Sequence, residues 1–143
     1  MSDNVEVDYE FGSLKKTDSA IRFLFLFISV RGVWVNLHDA CQNVMAQKNY
    51  TGAEKILLGE RLAAVVLLSR TIKLQGRLAL QARGDGALGL LVAESTQDAG
   101  VRGVITLTGL QENESLPSLK MLVGDGYLSV TLLPDVGESY QGI

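Results

Sequence analysis

His38 and Cys41 are the only histidine and the only cysteine of the chain, and they lie three residues apart. At the start of a helix this spacing could bring an imidazole beside a thiol, the pairing that nucleophilic catalysis by cysteine uses. The alternative, which we favour, is a partly exposed turn histidine and a half-buried cysteine. A thiol in the first turn of a helix should have a somewhat lowered pKa, so Cys41 is expected to be oxidisable without a catalytic role.

The tripeptide Gly-Asp-Gly occurs at 84–86 and again at 124–126, and glycine-rich loops can cradle phosphate. Both copies lack the lysine and the serine or threonine of a phosphate-binding loop, and no helical periodicity follows them. Asp-Gly between apolar runs instead predicts a tight hairpin turn of type I′ at each copy. Asp85 and Asp125 could pair as carboxylates if the repeat folds symmetrically, although turn chemistry already accounts for both residues.

The tetrapeptide Val-Arg-Gly-Val also occurs twice, at 30–33 and 101–104. An Arg-Gly pair within a strand pattern predicts a bulge or a close approach that a β-carbon would block. A recurring turn and a recurring strand irregularity favour a repetitive β framework over a catalytic pocket.

The remaining candidates for chemistry have structural explanations. Glu94 follows a strand and is expected to be a solvated carboxylate at the rim, and Trp34 lies between valines and is expected in the core. A single cysteine excludes an intramolecular disulfide and a cysteine-based metal cage. We therefore predict that the protein is not an enzyme and that it has no catalytic, cofactor-binding or metal-ligating residues.

The composition favours a single domain. The 143 residues are 47% hydrophobic, which is enough for one core. The net charge of −3 leaves no basic stripe for nucleic acid. Residues 1–17 hold a cluster of acidic side chains and are expected to form a flexible, solvated tail. No secretory signal is visible, so the cytoplasm is the expected location.

Residues 23–30 form the most hydrophobic stretch of the chain. A membrane helix needs roughly 20 apolar residues, and Arg22 and Arg31 bracket this run too closely. Its aromatic and β-branched content predicts a central strand buried on both faces. This would be part of a long strand over about 21–37, with an irregular point at Arg31-Gly32.

Two helices are predicted. Asp39 and Gln42 have the spacing of a capping box that would open a short helix to about Gln47, with Asn49 as a left-handed terminator. A second capping box, at 51–54, opens the main helix. That helix is apolar almost all round, so it should be buried all round.

The sequence after Gly76 alternates with a period of two and predicts a β-meander of three strands up to Thr108. A loop, a helical turn and two further strands follow, over about 110–116, near Pro117, over 127–133 and from about Ser139. These elements predict an α+β fold with α/β-type layers: mixed β-sheets with hairpins packed on two helices, one of them long and buried. The strand order is not predicted.

Several short segments occur in the order found in one protein family, from about Asp18 to Ile143. They are 30–32, 57–60, 62–64, 67–68, 71–73, 76–78, 80–81, 84–86 with Leu88, 91–94, 102–103, 124–126, 137–138 and 140–142. On these segments the chain resembles the N-terminal domain of the heat-shock protein 33 family of redox-regulated bacterial chaperones.

The resemblance implies an ATP-independent holdase that binds unfolding proteins and prevents their aggregation under oxidative and heat stress. It implies a homodimer whose partners are unfolded or partly folded client proteins, without nucleic acid or membrane. In the family, a C-terminal domain holds zinc with four cysteines, and their oxidation releases the metal and unfolds a linker. Cys41 matches none of those ligands. Residues 18–143 are therefore expected to be a truncated core domain without the switch and without zinc.

The client-contact residues are not predicted, because apolar side chains in a core and on a client surface look the same in sequence. Two alternative functions stay open: a small-ligand-binding domain that uses the Gly-Asp-Gly turns, and an assembly module whose long edge strands pair between subunits.

Overall fold

The structure, a computed structural model, describes residues 5–8, 17–98, 100–110 and 115–143. In chain order the elements are β1 (Val5–Asp8), β2 (Ser19–Phe25), β3 (Val30–Asn36), α1 (His38–Met45), α2 (Gly52–Thr71), β4 (Gly76–Gly84), β5 (Leu88–Thr96), β6 (Val101–Leu107), α3 (Leu119–Val123), β7 (Gly126–Pro134) and β8 (Tyr140–Gly142). The strands form a three-stranded sheet in the order β1-β2-β3 and a five-stranded sheet in the order β6-β5-β4-β7-β8. Each pairing in these sheets is antiparallel. The predicted α+β class, with hairpin-built sheets packed on helices, is confirmed.

Helix α2 lies at the centre of the core. Its predicted capping box is confirmed: the Glu54 N–H donates to Thr51 Oγ1 at 3.3 Å, and the Thr51 N–H donates to Glu54 Oε2 at 2.9 Å. The helix contacts β3, β4, β5 and β6. The prediction that it is buried all round is wrong: one side of the helix is buried, and Ile56 and Leu68 are exposed. Its buried apolar residues are Leu57, Leu58, Leu62, Val65 and Val66.

The five-stranded sheet covers α2 with one face. Strands β4, β5 and β6 follow one another as the predicted meander. Their alternate side chains point into the core because successive residues of a strand point to opposite faces. The buried set is Leu78, Leu80, Ala82, Leu91, Ala93 and Ile105.

The two Val-Arg-Gly-Val copies mark close approaches and not bulges. At Gly32 the ring of Phe23 occupies the space that a Cβ would need. At Gly103 a Cβ would lie 2.9 Å from Leu58 Cδ1, because α2 packs directly on β6. The register is continuous at both glycines, and the irregularity in the β5–β6 ladder lies between Leu88 and Leu90.

The predicted long buried strand over 21–37 is wrong. The chain turns back at 26–29, so β2 and β3 form a hairpin. Ser29 has a φ of 50°, the left-handed conformation that a tight reversal requires. The turn places the most apolar residues of the chain at the exposed tip of the hairpin instead of in a central strand.

The capping of α1 also differs from the prediction. The helix has Leu37 at its N-cap and no side-chain cap of its own, so the Asp39–Gln42 capping box does not form. The Asp18 carboxylate instead accepts hydrogen bonds from the backbone N–H groups of Asp39 and Ala40, both at 2.9 Å. The helix ends at Met45, and Asn49 is not its left-handed terminator, since Ala46 at the C-cap is in the right-handed helical conformation.

The two Gly-Asp-Gly copies differ in their surroundings. The first joins β4 to β5 in a hairpin, as predicted, whereas the second follows α3 and leads into β7. Neither is a type I′ turn, because among the described non-glycine residues only Ser29 has a positive φ. The two copies lie side by side, with Gly84 and Gly126 opposite each other in the β4–β7 ladder.

The remaining predictions concern the ends of the chain. The helical turn after Pro117 and the strand over 127–133 are confirmed as α3 and β7, and the last strand is β8. Residues 111–114 of the predicted loop lie outside the described residues. Within the predicted acidic tail, residues 5–8 form β1 on β2, and 1–4 and 9–16 lie outside the described residues.

Candidate functional site

The candidate nucleophile and base do not form a catalytic pair. His38 is exposed, and its Nε2 lies 3.3 Å from Gln42 Nε2. Cys41 is half-buried. Burial, and secondarily the negative charge of Asp18, raises the pKa of the Cys41 thiol, so the predicted lowering is wrong. The thiolate is disfavoured here, which is the opposite of what an activated nucleophile needs.

Asp85 and Asp125 are brought together, but through the backbone. The Asp85 carboxylate accepts from the Asp125 N–H at 2.7 Å, and the Asp85 N–H donates to the Asp125 carbonyl oxygen at 3.2 Å. These bonds hold two loops in place. They make the pair a structural clasp rather than a pair of catalytic carboxylates.

Glu94 is buried, so its prediction as a solvated rim carboxylate is wrong. It retains 7% exposure and accepts from Arg102 Nη2 at 2.8 and 2.9 Å and from Arg77 Nη1 at 3.4 Å. The two arginines come from the strands on either side of β5. This ion cluster therefore ties three strands together across the face of the sheet that lies away from α2.

The residues present do not fit the zinc that the family resemblance implies for a separate domain. Among the residues that the structure describes, no group of three or more histidine, cysteine, aspartate and glutamate side chains could hold a metal ion. The whole sequence offers one cysteine and one histidine, fewer than a thiolate zinc site requires.

The outer face of the β2–β3 hairpin is an exposed apolar surface. Residues at paired positions of an antiparallel ladder point to the same face, so Ile21 lies beside Trp34 and Phe25 lies beside Val30. Phe23 covers Gly32 between them, and its ring meets that of Phe25 edge-on, with centroids 5.4 Å apart. Val35 and Ala20, on the opposite face, pack toward the core.

The tip of the hairpin extends this apolar surface. Phe27 is 82% exposed and Ile28 is 66% exposed, with Leu26 beside them. Trp34 is 53% exposed, so its predicted place in the core is wrong. We call the whole set the hairpin surface; it comprises Ile21, Phe23, Phe25, Leu26, Phe27, Ile28, Val30 and Trp34.

The sequence predicts that the apolar run over residues 23–30 is buried in the interior, whereas the structure exposes much of it. Every position from 23 to 28 is apolar, so the run has no period that would separate a buried face from an exposed one. The turn also lacks glycine, proline, asparagine and aspartate, which are the usual signals for a reversal. Chemically, a surface of aliphatic and aromatic side chains suits the binding of apolar side chains of another polypeptide.

In the part of the chain that the structure describes, no helix is both long and apolar enough to cross a membrane.

The fold is that of a known chaperonin structure. The 33 kDa chaperonin (heat shock protein 33 homolog) of Thermotoga maritima superposes with a TM-score of 0.66 at 17% sequence identity, over 96% of this chain and 43% of that one. The family model described as Hsp33 protein matches residues 18–143. The chain belongs to the Hsp33 protein family, and the resemblance seen in the sequence is confirmed.

Curated relatives agree with this assignment. The 33 kDa chaperonin of Shewanella denitrificans is 43% identical over 123 residues, which cover 85% of this chain and 42% of the relative. The 33 kDa chaperonin of Neisseria gonorrhoeae is 40% identical over 134 residues, which cover 92% of this chain and 44% of the relative. The chain thus spans less than half the length of these relatives.

Proposed function

We propose that this chain is an ATP-independent holdase, which binds unfolding proteins at the hairpin surface and keeps them from aggregating under heat and oxidative stress. The observation that carries the proposal is the exposure of Phe27, Ile28 and Trp34 on one hairpin. The name chaperonin, borne by the relatives, supports it.

The physical basis is burial of apolar area. An unfolding protein exposes side chains that are normally in its core, and covering apolar surface is favourable by about 25 cal/mol per Å². Aromatic side chains offer a large contact area at a low cost in conformational entropy. A surface of aliphatic and aromatic side chains without charged groups binds many different apolar segments, which suits clients that share no sequence.

We further propose that the chain acts as a homodimer in the cytoplasm. Redox regulation through zinc and disulfides, as the family resemblance implies, requires cysteines that Cys41 alone does not supply. We therefore propose that client holding by this chain is equally strong under reducing and oxidising conditions.

The test is light scattering of a client enzyme that aggregates on heating, with and without this chain, in the absence of ATP. We expect the chain to suppress the aggregation and the double variant Phe27→Ser/Ile28→Ser to lose most of that effect. Val136→Ser is the matched control, because Val136 is 91% exposed outside the hairpin. A folded chain that suppresses nothing, or a double variant that suppresses as well as the control, would refute the proposal.

A second copy of the chain could cover the same surface, which is the assembly alternative. Light scattering of the chain alone over a range of concentrations separates the two functions. Self-association that is lost in the Phe27→Ser/Ile28→Ser variant, without any suppression of client aggregation by the parent chain, would favour the assembly module.

A further inference from the structure

Strand β3 forms one edge of the three-stranded sheet, and that edge carries unused hydrogen-bonding groups. In the sheet order β1-β2-β3, β3 pairs with β2 alone. In an antiparallel pair, every second residue directs its backbone N–H and C=O away from the neighbouring strand. Among the described residues, no backbone hydrogen bond outside the ladders involves β3. The outward groups along this seven-residue strand are therefore free to pair with another backbone.

The other edges of the two described sheets are shorter or covered. Strand β1 has four residues and β8 has three. Strand β6 has seven residues, but α1 contacts it and Glu54 Oε1 accepts a hydrogen bond from the Leu107 N–H at 3.2 Å. Strand β3 has no proline and no lysine, and its register is continuous, so it lacks the usual protections of an exposed edge. Of the described edges, β3 is the one that suits pairing with another polypeptide.

The free edge of β3 adjoins the hairpin surface. Val30, Gly32 and Trp34 alternate along β3 on the outer face of the sheet, and the side chains of Val30 and Trp34 are exposed. The Phe23 ring reaches across from β2 and occupies the position of the missing Cβ at Gly32. An aromatic ring therefore lies beside the β3 backbone between Val30 and Trp34. A strand added to this edge would place its outward side chains next to these apolar groups.

We propose that β3 binds an extended segment of an unfolding client, which joins the sheet as a fourth strand. The segment that fits carries apolar side chains at every second position, because these face Val30, the Phe23 ring and Trp34 while the others point to the opposite face. Backbone hydrogen bonds to β3 contribute affinity without selecting a sequence, as strand addition does in general. The inference rests on the proposed function, since it specifies how a client binds at the hairpin.

A second copy of the chain fits this edge less well than an unfolded segment. Helix α2 contacts β3, so two copies joined along β3 would bring their α2 helices under neighbouring strands. Neighbouring strands are about 4.8 Å apart, whereas packed helices need about 8–10 Å between their axes. An unfolded segment carries no helix, and it can therefore approach β3 without this crowding.

Fluorescence anisotropy with backbone-methylated peptides tests the inference. The parent peptide is a labelled strand in which valine alternates with threonine or lysine. One derivative is methylated on the valine nitrogens, and the other on the threonine and lysine nitrogens. Consecutive N–H groups of a strand point to opposite edges, so only one derivative loses the N–H groups that face β3. We expect that derivative to bind at least about tenfold more weakly than the parent peptide, because several hydrogen bonds are lost together, and the other to bind within about twofold of it.

Amide hydrogen exchange followed by NMR locates the bound peptide on the chain. The parent peptide should slow the exchange of every second amide of β3 by about tenfold or more, because the new hydrogen bonds must open before exchange. The amides of β1, at the opposite edge of the same sheet, should exchange as before. A ligand that only covered the apolar face would not select every second N–H of β3, so the alternation is specific to strand addition.

The matched variants are Trp34→Thr, beside the free edge, and Tyr140→Thr on β8, whose aromatic side chains are both more than half exposed. Threonine favours strands, so both variants should keep the fold. We expect Trp34→Thr to bind the parent peptide roughly three- to tenfold more weakly, since apolar contact area is lost, and Tyr140→Thr to bind it unchanged.

Several results would overturn the inference: no binding of the parent peptide, equal binding of the two methylated derivatives, or peptide binding that leaves the exchange of the β3 amides unchanged or slows it without alternation. An unaffected Trp34→Thr variant would also count against it. If alternating protection of β3 appears without peptide and rises with the concentration of the chain, the occupant of the edge is a second copy and the inference is wrong.

The outcome is distinguishable from the fate of the proposed function. If the chain suppresses client aggregation but the two methylated derivatives bind alike, strand addition at β3 fails alone and the holdase proposal stands. If one derivative loses binding and β3 is protected in alternation, yet client aggregation is not suppressed, the holdase proposal fails and strand addition at β3 stands.

Discussion

The carboxylate of Asp85 accepts a hydrogen bond from the backbone N–H of Asp125 at 2.7 Å, which joins two identical tripeptides that lie 40 residues apart. Gly124 has a φ of 66°, and a Cβ at this position would lie 2.6 Å from Asp85 Oδ1. The glycines thus allow the two tripeptides to approach closely, and the Asp85 hydrogen bond stabilises that approach. The repeat fastens the start of β7 to the β4–β5 hairpin.

Asp85→Ala should lower the free energy of unfolding by about 1–2 kcal/mol, because a hydrogen bond to a charged group is lost. Asp125→Ala should change it much less, since Asp125 contributes its backbone to the clasp. Chemical denaturation of both variants checks the difference. Equal losses would mean that the Asp85 carboxylate is not the holding group.

Asp18 should matter more to α1 than Asp39, although Asp39 occupies the position that the sequence favours as a cap. Asp18→Ala leaves two helix N–H groups without their acceptor and should cost about 1–2 kcal/mol. Asp39→Ala removes only a favourable charge in the first turn, about 0.5 kcal/mol. Urea titrations followed by circular dichroism give both values, and a larger loss for Asp39→Ala would contradict the observed capping.

Gly103 and Gly52 are predicted to respond to alanine with opposite signs. A Cβ at Gly103 meets Leu58 Cδ1 at 2.9 Å and the Val92 carbonyl oxygen at 3.0 Å, so Gly103→Ala should destabilise the fold by about 1–3 kcal/mol. A Cβ at Gly52 meets nothing within 4 Å, and alanine there should stabilise α2 by up to about 1 kcal/mol. Thermal unfolding of the two variants measures the contrast, and two shifts of the same sign would count against the packing of α2 on β6.

Cys41 should react slowly in the folded chain. Its pKa is raised by burial and then by Asp18, so alkylation by iodoacetamide at pH 8 should be slower in buffer than in denaturant, with the rate in buffer still rising above pH 9. The folded state holds the thiol proton more tightly than the unfolded state does. Its contribution to stability is therefore complete below the unfolded pKa and is lost as the pH rises through the folded pKa.

Cys41→Ser is the control for this pH dependence, because serine does not ionise in this range. The alkaline loss of stability should be smaller in that variant. Equal reactivity of Cys41 in buffer and in denaturant would contradict the raised pKa.

The parts of the fold that the sequence predicted depend on short-range patterns. The capping box of Thr51 and Glu54 spans three residues, and the alternation of β4 is complete within that strand. The parts that it missed depend on distant partners. Asp18 caps a helix that begins 20 residues later, and the burial of Glu94 follows from which strands lie beside β5.

The hairpin surface also could not be predicted from local sequence patterns. Phe25, Phe27 and Trp34 have the composition of a core, and nothing local distinguishes a buried apolar strand from an exposed one. The reversal at Ser29 determines whether these side chains are buried or exposed, because it separates the two strands and turns one face of the hairpin outward. The family resemblance predicted the fold and left the binding residues unassigned for this reason.

The hairpin packs into the core at its base, and β1 pairs with β2 up to Phe25. Ala20 and Val35 at its base pack toward the core, whereas Phe27 and Ile28 at its tip are mostly exposed. Local opening proceeds from regions with few buried contacts, so amide hydrogen exchange should slow steadily from tip to base. As the temperature rises, the hairpin should peel open from the tip while its base stays fastened. The exposed apolar area of the hairpin would then increase at the temperatures at which other proteins begin to unfold.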